Sequence, residues 1–123
     1  MTIDYADTQA IRDLLDQYFK AVGRADIDAL RKMSLPESSM YGFLGKQMLA
    51  GSPEPFFTDL SGKPSMVEQG IDCAYVVKNI QVAGCIATAA TLVDNFYGTM
   101  SIENFFCFMK VDSRWRITSN TFT

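Results

Sequence analysis

Histidine is missing altogether from these 123 residues. With it go the commonest general base near neutral pH and every nucleophilic triad that requires imidazole. Cysteine is scarce. Cys73, Cys85 and Cys107 are odd in number, stand singly inside apolar runs and have no neighbour at metal-ligand spacing, which reads as reduced thiols packed in the core. No run of basic residues exceeds the pair Arg31-Lys32, and 14 acidic against 11 basic residues give a net charge of -3. That balance lacks the electrostatic footprint of a phosphate-backbone binder, so nucleic acid is not an expected partner. Nowhere do about 18 apolar residues follow one another. Met1-Thr2-Ile3-Asp4-Tyr5 carries no basic region ahead of an apolar run, so neither a membrane span nor a signal peptide is expected, and the expected location is the cytoplasm. Gly42-Phe43-Leu44-Gly45-Lys46 lacks the spacing and the following Ser/Thr of a phosphate loop; turns explain its glycines better.

What is present is a 48% hydrophobic chain of a length suited to one domain, 1–123, that buries its core without disulfides or metal. Ile11, Leu14, Leu15, Tyr18, Phe19 and Val22 recur at helical spacing and place one apolar stripe on a helix. Asp7 or Thr8 is the expected cap and Gly23 the expected left-handed stop. A shorter helix follows from Ile27 to Met33, capped by Asp26, with Pro36 beyond its end. Ser38–Phe43 and Lys46–Ala50 read as two short strands around Gly45. Ser52-Pro53-Glu54 then opens a third helix whose buried face is Phe56, Phe57 and Leu60, before Gly62 and Pro64 stop it.

The period changes near Val67. The segments 72–82, 85–94, 99–110 and 114–122 are rich in Val, Ile, Thr and aromatics and are joined by turn-forming residues, which predicts an antiparallel meander. The fold class is therefore α+β: three N-terminal helices packed on a curved, mostly antiparallel sheet. Along the third of these strands Phe105, Cys107 and Met109 point one way while Ile102, Phe106 and Phe108 point the other. One set packs on the helices. The other needs cover, either from the chain's own loops or from a second copy, and the expectation favours a homodimer through the sheet face.

The first helix ending in Tyr18-Phe19-Lys20-Ala21-Val22-Gly23-Arg24-Ala25-Asp26, the following Ile27-Asp28-Ala29-Leu30 and the closing Phe106 to Ile117 with its turn Asp112-Ser113-Arg114 before Trp115 resemble the nuclear transport factor 2-like superfamily over nearly the whole chain. This is the cone-shaped, cystatin-like fold shared with ketosteroid isomerases and SnoaL-like cyclases. The ending Asn120-Thr121-Phe122 looks most like the group called "putative lumazine-binding" proteins. The resemblance implies a cone lined by the first and third helices and the concave sheet face. Carried onto this chain, it gives Leu14, Tyr18, Met33, Tyr41, Phe56, Phe57, Leu60, Phe105, Cys107 and Trp115 as pocket residues for a small apolar or aromatic ligand.

The same resemblance allows the isomerase chemistry to be tested residue by residue. Tyr18 stands where the oxyanion tyrosine would be. The position of the base carboxylate falls at Gly42, and that of the second, protonated acid falls near Cys107. The Asp–His pair of related dehydratases has no counterpart. With the catalytic residues unknown, Glu103 and Asp94 join Tyr18 as the remaining candidates, and no metal or cofactor is expected. A homodimeric small-molecule-binding protein without a complete catalytic set is the favoured reading. An isomerase, cyclase or dehydratase using Tyr18, and a dimerisation module without a ligand, stand beside it.

Overall fold

A computed structural model describes residues 5–123 of the chain. Three helices, α1 (Tyr5–Arg24), α2 (Ile27–Met33) and α3 (Glu54–Ser61), pack on a sheet of six strands. The strands are β1 (Ser34–Leu44), β2 (Gln47–Gly51), β3 (Ala74–Ala83), β4 (Ile86–Phe96), β5 (Met100–Val111) and β6 (Arg114–Phe122). Their order in the sheet is β2-β1-β6-β5-β4-β3. Every neighbouring pair is antiparallel except β1 with β6, which run parallel because the chain crosses from one half of the sheet to the other. The sheet does not close: β2 and β3 remain edges, so the cone is an open one and not a barrel. No helix among the described residues is long and apolar enough to cross a membrane.

Local sequence explains most boundaries, and four of them correct the expectation. Helix α1 already runs at Tyr5, so Asp7 and Thr8 lie in its first turn instead of capping it. At the other end Gly23 stays helical and Ala25 takes the left-handed conformation, φ 54°. Asp26 N–H reaches back to Ala21 O at 2.9 Å and Ala25 N–H to Val22 O at 3.2 Å, the paired closure of a Schellman turn, which holds alanine where glycine would be less strained. Asp26 then caps α2 as expected, accepting from Ala29 N–H at 3.2 Å. Strand β1 begins at Ser34 and contains Pro36; its pairing with β6 shifts register between Ser34 and Ser39, and this irregularity accommodates a residue with no N–H to donate. Helix α3 starts at Glu54, one residue later than expected, with Ser52 Oγ accepting the Glu54 N–H at 3.3 Å.

The core lies between α1 and the inner sheet face. Ile11 and Leu15 are wholly buried there, and each such side chain stabilises the fold by about 1.5–3 kcal/mol. Opposite them stand Phe106, Phe108 and Ile117, which confirms the alternation read along β5. Trp115 closes one end. Its indole N–H donates to Asp7 Oδ1 at 2.9 Å and Lys110 Nζ donates to the same oxygen at 3.0 Å, so a buried carboxylate ties the first turn of α1 to the β5–β6 hairpin. The outer face carries Phe105, 62% exposed, with Tyr41, Phe43, Ile86 and Met109 also exposed. The cysteines are free thiols, yet they are not core residues: Cys85 and Cys107 are exposed and Cys73 is half-buried. Cys107 is outward because it shares the parity of Phe105 on β5.

Candidate functional site

Between α1, the inner face of β1, β5 and β6, and the segment that follows α3 lies a partly open cavity of about 50 Å³. Its walls are apolar and adaptable: Met40 on β1, Met66 after α3, and Val22, Phe96, Ile102 and Phe122 around them. Met66 is 1% exposed and acts as the plug on this side, its thioether accepting the Tyr97 N–H at 3.3 Å. Methionine repacks at low cost, so the Met40 and Met66 walls are the adaptable ones. Among the described residues no charged side chain lines the space.

One wall is polar. Thr91 Oγ donates to Asn104 Oδ1 at 3.3 Å, Asn104 Nδ2 donates to Asn120 Oδ1 at 3.1 Å, and Asn120 Nδ2 donates to the Tyr18 hydroxyl oxygen at 3.4 Å. Strand register creates this line. Thr91 and Asn104 face each other across β4 and β5, and Asn120 on β6 faces Phe106, two residues along the same face from Asn104. All four side chains are buried, and a buried polar group is costly unless paired, so the line stands or falls together. Each donor points the same way, toward Tyr18. The tyrosine hydroxyl accepts at one end of the line, and its own proton has no acceptor among the described residues. Burial pushes the Tyr18 pKa well above the ordinary phenol value, with the Asn120 bond working in the opposite direction, so the group stays protonated.

The rim is built differently. Phe19 stacks on Tyr75 with centroids 4.4 Å apart, and Tyr75 O–H donates to Asp16 Oδ1 at 2.8 Å. Desolvation, and then the bond to Asp16, pushes Tyr75 up to about 12. Asp16 is held below the usual carboxylate value by its bond to Lys20 and then by Tyr75. This latch joins α1 to the edge strand β3.

The residues singled out in the sequence scatter over several places. Tyr18 and Phe56 line the cavity. Phe57 lies beside a neighbouring space of about 10 Å³ that also touches Tyr18 and Asn120, and Leu60 is sealed in the core. Leu14, Met33 and Trp115 line a separate outer groove. Tyr41, Phe105 and Cys107 are exposed, Phe105 and Cys107 on the outer sheet face. Glu103 is exposed and pairs with Lys78 at 3.4 Å, while Asp94 accepts from Asn95 N–H and the Ser101 hydroxyl near the end of β4. Neither carboxylate lines the cavity. Gly42 does face inward, but a Cβ there would overlap the carbonyl and ring of Phe122, its partner on β6, so the strand geometry leaves no room for a base at that position. Asn104, Asn120, Thr91 and Tyr75 escaped the sequence reading of the site. One signal for Asn104 was available: alternation that sends Ile102, Phe106 and Phe108 inward sends Asn104 inward among them, a polar residue on a core face.

Fold and cavity together define an α+β protein of the nuclear transport factor 2-like class. Among the solved structures similar to it are the following three. An NTF2-like protein of unknown function from Silicibacter pomeroyi DSS-3 superposes with a TM-score of 0.86 at 21% identity, over 99% of this chain and 98% of that one. One from Methylobacillus flagellatus KT gives 0.85 at 18% identity, over 98% and 94%. A domain of unknown function with a cystatin-like fold from Nostoc punctiforme gives 0.71 at 20% identity, over 98% and 78%. No curated protein matches the sequence. The sequence pattern of the "Putative lumazine-binding" family matches residues 6–123, and the chain belongs to that family.

Proposed function

We propose that this protein binds a small, flat, uncharged molecule whose ring carbonyl accepts the proton of Tyr18. The observation that carries the reading is the directed line Thr91–Asn104–Asn120–Tyr18, which ends in an unclaimed donor against an otherwise apolar cavity. A lining with no charged side chain among the described residues disfavours a carboxylate or phosphate, whose desolvation would go uncompensated. A pteridine dione of the kind in the family's name has the required chemistry: flat, neutral, and edged with carbonyls. A two-ring ligand exceeds the present cavity, since ligand pockets usually span about 300–1,000 Å³, so binding must swing Met40 and Met66 aside. A thermal-shift series with lumazine, neutral flavin rings, aromatic ketones and their carboxylated analogues tests this, because a ligand of the native state raises the melting temperature. Neutral carbonyl compounds should shift it and the carboxylated ones should not.

None of the candidate base positions reaches the cavity: neither Glu103 nor Asp94 lines it, and Gly42 has no space for a side chain. Binding without turnover is therefore the reading these positions support. The exposed apolar outer face, with Phe105 near its centre, supports pairing of two copies through that face in solution.

A further inference from the structure

Apart from the cavity, a groove of about 410 Å³ runs between α1, α2 and the β5–β6 turn. Its floor is apolar, made by Leu14, Met33 and the edge of Trp115. Its rim is basic: Lys20 and Arg24 from α1, Lys32 from α2 and Arg114 from the start of β6, against one carboxylate among the described residues, Asp26, which already caps α2. Lys20 is held by Asp16 at 2.9 Å. Arg24, Lys32 and Arg114 have no carboxylate partner among the described residues. On a chain of net charge -3, a concentration of four of the 11 basic residues around one apolar floor runs against the overall balance.

We infer that this groove docks an acidic peptide segment of a partner protein, with carboxylates against Arg24, Lys32 and Arg114 and one aliphatic or aromatic side chain on the floor. The rim cations are exposed and come from three separate elements. An exposed ion pair is weakened by water and salt, so a single small anion would gain little there. A segment bearing several carboxylates adds such contributions, gains orientation and on-rate from the complementary field, and supplies the apolar anchor the floor can accept.

Trp115 is the only tryptophan in the chain, so its emission reports on the groove directly. The probe is a blocked peptide of glutamates around one central leucine, titrated into the intact protein. Expected are saturable quenching with a Kd of order 10–100 μM at low salt and a tenfold or greater loss at about 0.3 M salt, where screening is short-ranged. The exposed reversals Arg24→Glu, Lys32→Glu and Arg114→Glu combined should abolish it, and Tyr18→Phe should leave it intact. The inference is overturned by any of four results: no response at millimolar peptide, an equal response from the leucine-to-glycine peptide, an equal response from free glutamate or inorganic phosphate, or equal binding by heparin, which would mark a mere polyanion patch.

Discussion

The amide nitrogen of Asn120 lies 3.4 Å from the Tyr18 hydroxyl oxygen and joins the last strand to the first helix across the wall of the cavity. Because the amide donates, the tyrosine proton is left without an acceptor among the described residues. Under the proposed reading, stability and ligand choice are linked through this one contact.

Asn104 is the middle of the line. Asn104→Leu strips Thr91 of its acceptor and Asn120 Oδ1 of its donor, both in buried positions. Chemical denaturation should show a loss of about 1–3 kcal/mol. Adding Asn120→Leu to that variant should cost much less than Asn120→Leu alone costs the wild type, since coupled partners are not additive. Additive losses would mean that the line does not act as a unit.

Met66 is buried at the cavity wall, 1% exposed. Met66→Ala should lower unfolding stability by about 2–5 kcal/mol, as for other buried large-to-small changes. The same change should tighten binding of a two-ring neutral ligand, because the methionine need no longer be displaced. Weaker binding by a folded Met66→Ala protein would place the ligand elsewhere.

Alkaline pH should destabilise the fold through Tyr18. Its folded pKa is raised above the ordinary value of 10.0, so the native state holds the proton that the unfolded state releases. The contribution is full below about pH 10 and falls by about 1.4 kcal/mol per pH unit above it, until the folded group itself ionises. Urea unfolding at pH 9 and pH 11 should show the loss in wild type and a smaller one in Tyr18→Phe. Equal slopes would show that Tyr18 is not protected by burial.

Phe105 tests the pairing of outer faces. Wild type should sediment as a dimer at tens of micromolar, and Phe105→Glu should shift it to monomer while leaving the core intact, since this side chain is 62% exposed. A wild-type monomer at that concentration contradicts the pairing.

Much of the fold was legible because it rests on local periodicity. The α1 stripe, the Asp26 cap and the inward and outward sets of β5 all follow from spacings of three to four or of two. Where the reading slipped, a non-local partner decided. Gly23 looked like a helix stop, but the closure from Asp26 to Ala21 moved that role to Ala25. The cavity was less legible. Asn104 and Asn120 meet only because β5 and β6 pair in one register, with a shift between Cys107 and Phe108 that no single-strand pattern reveals. Phe105 and Cys107 were carried into the pocket by resemblance, although their own alternation already sent them outward. Leu14, Met33 and Trp115 are apolar residues near α1 as expected, yet they line its other flank.

Calorimetric titration of lumazine into wild type and Tyr18→Phe, side by side, bears most directly on the central claim. Wild type should bind, and loss of the hydroxyl should weaken binding about tenfold while the protein remains folded, the effect of one buried carbonyl left without its donor. Equal affinity for both proteins, or no heat from lumazine or any neutral carbonyl ring at millimolar concentration, would contradict the account.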